Sequence, residues 1–179
     1  MNLKKHMLII SLSLTIIGFC QAQKEVKVPC VDKGYSDATF FRASNSAKSK
    51  DLAMAKDKAI MLTKQMLTSL ISSTITSVTE NYVTQLDANT ATEFKTNFET
   101  ITREVVNQQI KDVKITCEST EKLKTGMYQS FVAIEVSKDV IINGISKGIT
   151  TDKKLEKQFD EAKFKATFEA EMKKLEKQE

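Results

Sequence analysis

Few side chains in this sequence can carry chemistry. The cysteines are Cys20, Cys30 and Cys117, and the one histidine is His6. His6 lies in a leader-like stretch. Once that stretch is removed, no Ser/His/Asp or Cys/His nucleophile system can be assembled, and the commonest zinc ligand is gone. The chain contains no GxGxxG, GxxxxGK[ST] or CxxC motif of the kind that cradles phosphates or runs thiol chemistry. Carboxylates remain. Glu99 with Glu104, or Asp57 with Glu80, could divide acid and base roles as in glycoside hydrolysis, although acids on amphipathic helices are ordinarily solvated. Tyr35, Phe40, Phe41 and Arg42 could form an aromatic and cationic surface for a sugar or a nucleic acid. The preferred reading puts the phenylalanines in the core and Arg42 exposed or paired on a strand. No catalytic residue, metal site or cofactor is expected.

The two downstream cysteines must be considered together with the N-terminus. Residues 1–6 are positive, residues 7–19 form an apolar and hydroxyl run, and small residues follow; this is the pattern of a secretory signal. The run is too short for a spanning helix, which needs roughly 20 apolar residues. Cys20 falls where a lipoprotein's acylated cysteine would lie, with Ile17 and Gly18 suited to the positions upstream. Phe19 is too bulky for that processing, so cleavage after Ala22 is the expectation and lipidation at Cys20 the alternative. Either way, Cys30 and Cys117 are the one cysteine pair delivered to an oxidising compartment. A disulfide between them is expected, against the alternative of two separate buried thiols. It would pin the N-terminal segment to a β-strand.

The chain has 179 residues, with 27 Lys and Arg against 23 Asp and Glu, and a net charge of +4. Loss of Lys4 and Lys5 with a leader halves that charge. Mixed-sign charge spread over helices is read as a solvated face, and no nucleic-acid partner is expected. After a leader at 1–22, the remaining length suits one domain with its own core.

Periodicity supplies the elements that must position these residues. Residues 23–37 are polar, hold the single proline Pro29 and a turn-prone Asp32-Lys33-Gly34, and read as an extended lead-in. Residues 38–44 suit a strand. Ser49 is placed to cap a long helix whose stripe is Leu52, Ala55, Ala59, Leu62, Met66 and Leu70, drifting later to Ile71, Val78, Tyr82 and Leu86. The hydroxyl-rich residues 72–77 have weak helix propensity, so a bend there is open. After a polar connection at 87–90, Phe94, Phe98, Ile101 and Val105 mark a second helix. Val113, Ile115 and Cys117 then alternate on one strand face. Lys124-Thr125-Gly126 turns the chain into a return strand with Tyr128, Ser130, Val132 and Ile134 on one side, paired antiparallel to the first. A short helix carries Val140, Ile141 and Ile145, with Gly148 as its stop.

Residues 152–179 are compatible with one terminal helix. Leu155, Phe159 and Ala162 lie on one side of it, and Phe164, Phe168, Met172 and Leu175 nearly opposite. The second set is the candidate partner-docking surface, on which basis deletion beyond Lys163 should release a partner and spare the fold. The class expected is α+β: a small curved antiparallel sheet packed against a long helix and a second helix, with a C-terminal helix.

Several segments resemble the LPP-twenty lipoprotein family. They are Tyr35-Ser36-Asp37 leading into Phe41-Arg42-Ala43-Ser44, Asp51-Leu52-Ala53-Met54-Ala55-Lys56-Asp57-Lys58-Ala59 and Thr102-Arg103-Glu104-Val105-Val106-Asn107-Gln108. Val113-Lys114-Ile115-Thr116-Cys117-Glu118 and Tyr128-Gln129-Ser130-Phe131-Val132-Ala133-Ile134-Glu135 continue it. The resemblance implies a curved sheet packed on helices over residues 38–151, an envelope location and no known enzymatic activity, and it carries over no catalytic residues. Phe19-Cys20 departs from the family's pattern, while the end of the signal resembles secreted relatives in Bacteroidota. The expectation is therefore an exported, non-enzymatic protein of the periplasm or outer membrane that interacts with an envelope protein. Any membrane association would come through a lipid anchor or through that partner. The alternative is a small-molecule or glycan-binding module with its pocket between the sheet and the long helix.

Overall fold

The computed structural model describes residues 27–84, 86 and 88–175. The leader expected at 1–22, with His6 and Cys20, and the first residues of the lead-in lie outside the described residues. The architecture is α+β. Strand β1 (Phe40–Ser49) leads to helix α1 (Leu52–Val83), then α2 (Ala88–Lys111), strands β2 (Lys114–Lys122) and β3 (Tyr128–Ser137), and helices α3 (Lys138–Thr151), α4 (Lys153–Glu156) and α5 (Glu161–Leu175). The antiparallel sheet has the order β1-β3-β2. Central β3 is covered on both faces: Val132, Ile134 and Val136 join the main core, while Phe131 and Ala133 join a small cluster with Cys30 and Cys117. The expected β2–β3 hairpin is present. Leu123 N–H donates to Met127 O at 2.8 Å, and Gly126 supplies the positive φ of 82° that the turn requires.

Helix α1 starts two residues later than its composition implies, because Asp51, not Ser49, is the cap: its carboxylate accepts from Met54 N–H. It then runs unbroken through residues 72–77. The buried stripe is Ala55, Ala59, Thr63, Leu67, Ile71, Ile75 and Thr79, a strict spacing of four. Each such step leaves the stripe roughly 40° further round an axis that turns about 100° per residue. One length of helix can therefore pack first on β1 and β3 and later on α2 and α5. Leu52 and Met66, expected inside, are 49% and 52% exposed, because a hydrophobicity count passes over threonine. Thr63 and Thr79 take core positions by donating their hydroxyls to Ala59 O and Ile75 O at 2.6 and 2.7 Å, which satisfies the groups that burial would otherwise leave unbonded.

Past the sheet the core is aromatic. Tyr82 packs on Phe94, Phe159 and Phe164, and Phe98 on Phe94 and Phe164. The Tyr82 hydroxyl accepts from Asp160 N–H at 2.7 Å and donates to Gln158 O at 3.3 Å. Those two bonds hold the break between α4 and α5. The terminal segment is thus two helices rather than one, with Asp152 capping the first and Asp160 accepting from Lys163 N–H at the start of the second. The break brings Leu155 and Phe159 to the same core as Phe164, which removes the two-sided pattern that a single straight helix would show.

Helix α3 continues past Gly148 to Thr151, so that glycine is not a stop. A Cβ at Gly148 would lie 2.4 Å from Ile101 Cγ2, and one at Gly144 would lie 2.8 Å from Val105 Cγ1. The two glycines let α3 approach α2. Gly148→Ala decides between propensity and packing by its sign. Helix propensity favours alanine by about 1 kcal/mol, whereas overpacking costs about 1–3 kcal/mol, and a net loss of stability in chemical denaturation is the expected result.

Candidate functional site

The sequence candidates fall in different places. Asp57 and Glu80 are both exposed on α1, 23 residues apart, which is about 35 Å along a helix. Glu99 and Glu104 are exposed on α2, and five residues place them roughly 140° apart around its axis. Neither pair faces itself across a cleft. Phe41 is fully buried on the helix-covered side of the sheet, while Phe40 lies on the opposite side beneath the Arg42 guanidinium, 5.0 Å from its ring centre. Tyr35 is exposed.

The candidate docking residues move indoors. Phe164 and Phe168 are fully buried, Met172 is 1% exposed and Leu175 is partly buried against the main core. Phe168 meets Phe41 of β1 edge to face at 6.0 Å. The face read as an outward docking surface is therefore the one that closes the protein's own core, because α5 packs on α1 and β1. Phe168→Ala is expected to cost about 3–5 kcal/mol, and truncation after Lys163 to abolish cooperative unfolding, both read by thermal denaturation.

Cys30 and Cys117 meet with sulfurs at disulfide distance, 2.11 Å, and Cα atoms 5.5 Å apart. The strand alone would not bring them together. Ile115 is registered to Ile134 and Cys117 to Ala133, with a bulge at Thr116 between them. The extra residue reverses the alternation: Ile115 stays with the helix side and Cys117 turns to the outer face, where the lead-in crosses.

On that outer face one rung of the sheet is ionic. Arg42 of β1 and Lys114 of β2 are both registered to Glu135 of β3. Arg42 Nε donates to Glu135 Oε2 and Lys114 Nζ to Oε1, each at 3.0 Å. Arg42 also holds the Asp37 carboxylate and Tyr35 O. Asp32, Lys33 and Thr116 complete a cavity of about 370 Å³ above this rung. Burial pushes the Glu135 carboxyl up, but the hydrogen bonds and charges of Lys114 and Arg42 outweigh it and hold it below the ordinary glutamate value. Both carboxylate oxygens are engaged, so the cluster clamps the lead-in and three strands together and leaves no free base.

A second recess lies between α1 and α2. Its volume is about 290 Å³, with Ile75, Phe98 and Val106 as apolar lining, Thr68, Ser72, Thr76, Thr79 and Thr102 as hydroxyl lining, and Lys95, Glu99, Arg103 and Asn107 around it. Sequence reasoning missed it because its residues come from two helices, each unremarkable alone. Among the described residues no group of three or more metal-ligating side chains occurs, and no helix is long and apolar enough to cross a membrane. Comparison with protein-family models, curated proteins and solved structures finds no significant match.

A carboxyl whose value is lowered in the folded state contributes stability above its unfolded value, and that contribution is lost as pH falls through the folded one. For Glu135 the loss begins near 4.5 and continues downward. Glu135→Gln is expected to cost about 1–3 kcal/mol at neutral pH and to flatten the acid limb, measured as denaturation midpoints across pH 2.5–7.

Proposed function

We propose that this protein is a non-enzymatic component of a bacterial cell envelope, exported and oxidised, working as an interaction or assembly partner at the periplasm or outer membrane. The observation that carries the reading is the Cys30–Cys117 pair at disulfide distance, since such bonds persist outside reducing compartments. The positive start and apolar run of residues 1–19 agree with it. Support for an interaction role comes from Leu52, Met54, Met61 and Met66, large apolar side chains that α1 leaves exposed; methionine adapts to varied partner surfaces. Phe164, Phe168 and Met172 of the terminal helix are buried and add nothing to these exposed side chains. The resemblance to LPP-twenty lipoproteins points to the same compartment.

The test is the mass and thiol state of the protein recovered from fractionated cells. An envelope-fraction chain beginning at Gln23 with one disulfide is expected, and a diacylglycerol mass on Cys20 would change the anchor and keep the compartment. A full-length, reduced chain in the cytosol would overturn the proposal. Cys117→Ser should lower stability by about 2–4 kcal/mol. A second reading, a small-molecule or glycan-binding module, is favoured by one observation, the hydroxyl-lined recess between α1 and α2.

A further inference from the structure

We propose that the α1–α2 recess binds a monosaccharide-sized hydroxylated acid, a polyol bearing a single carboxylate. This rests on the small-molecule reading and adds the ligand class.

The two walls differ in what they offer. On α1, Thr68, Thr76 and Thr79 donate their hydroxyls to Lys64 O, Ser72 O and Ile75 O at 2.8, 2.9 and 2.7 Å. Their protons are spent, and the oxygen lone pairs remain for a donor from outside. On α2, Thr102 is 8% exposed and its Oγ1 has no hydrogen-bond partner among the described residues. A buried hydroxyl left unbonded is costly; Thr102 lines the recess with its Oγ1 covered, so a side-chain rotation on ligand entry would bring that hydroxyl to a ligand acceptor. Arg103, on the same wall, has no ion-pair partner among the described residues, while Lys95 stands 4.0 Å from Glu80. Asn107 adds an amide. One wall therefore accepts from hydroxyl groups and the other offers donors and positive charge to a carboxylate. Ile75, Phe98 and Val106 belong to the core and close the recess beneath as an apolar floor with little exposed area. Glu99 beside Arg103 can take one more hydroxyl and disfavours a doubly charged group such as phosphate. The volume of about 290 Å³ lies at the small end of ligand pockets, about 300–1,000 Å³, which fits one sugar ring and not a chain.

The experiment is a titration of the purified, oxidised protein with glucuronate and, separately, glucose, followed by amide chemical shifts. Glucuronate is expected to give saturable shifts confined to the facing stretches of α1 and α2, with glucose at least tenfold weaker. Arg103→Gln should weaken glucuronate at least tenfold. Thr102→Val should do the same while raising the melting temperature, because it removes the unbonded hydroxyl; a merely structural threonine would not link those two readouts. Equal binding of glucose and glucuronate would overturn the acid assignment and leave the small-molecule reading standing. Absence of saturable shifts with both sugars would overturn both. Wild-type affinity in Thr102→Val would overturn the recess as the site.

Discussion

The aromatic node around Tyr82 and Phe164 is the constraint on which the rest of the fold depends. A sheet of three strands can cover only part of a 32-residue helix, so the far half of α1 needs another apolar partner. Phe94 and Phe98 from α2, Phe159 from the segment after α4, and Phe164 and Phe168 from α5 converge there. Their large buried areas and edge-to-face packing concentrate stabilisation in few residues. The Tyr82 hydroxyl also organises the backbone, since its two bonds at Gln158 and Asp160 set where the terminal helix breaks. Helix α5 thereby becomes part of the core rather than an appendage.

A second constraint operates at the sheet's outer face, which among the described residues is covered by the lead-in with its single 3-10 turn at Val31–Lys33 and by none of the α-helices. The lead-in crosses it, held by Cys30 to Cys117 and by Arg42, which reaches Asp37 and Glu135 together. Ser36 Oγ accepts from Arg42 N–H, and Asp37 Oδ1 accepts from Phe40 N–H, so the lead-in also occupies unpaired positions on the edge of β1. An edge blocked in this way is a poor template for another strand. Stability, edge protection and placement of the cysteines therefore share one short segment.

Neither the node nor the outer face places a nucleophile beside a base. The two recesses differ accordingly. The one over Glu135 is bordered by charges already committed to each other and holds only the unbonded hydroxyl of Thr116, whereas the one between α1 and α2 combines the unbonded hydroxyl of Thr102 with the Arg103 guanidinium, which has no ion-pair partner among the described residues. Unsatisfied polar groups in a concave site mark where the fold has stability left to gain from a ligand.

Periodicity by itself determined the class, the order of strands and helices from β1 through α3, and the β2–β3 pairing, because helix and strand repeats and the Lys124-Thr125-Gly126 turn are local properties. The Cys30–Cys117 pairing is expected from there being two cysteines beyond the leader-like residues 1–22. Tertiary structure alone decided three things. It put Thr63 and Thr79 in the core in place of Leu52 and Met66, since a hydroxyl can be satisfied by its own helix and then buried. It turned Cys117 away from Ile115 through the bulge at Thr116, which no alternation rule anticipates. It folded the two apolar sides of residues 152–175 onto one core by a break that depends on Tyr82, some 76 residues earlier in the chain than its partner Gln158. Each of these choices is made by contacts between distant segments, whose energies no local window contains.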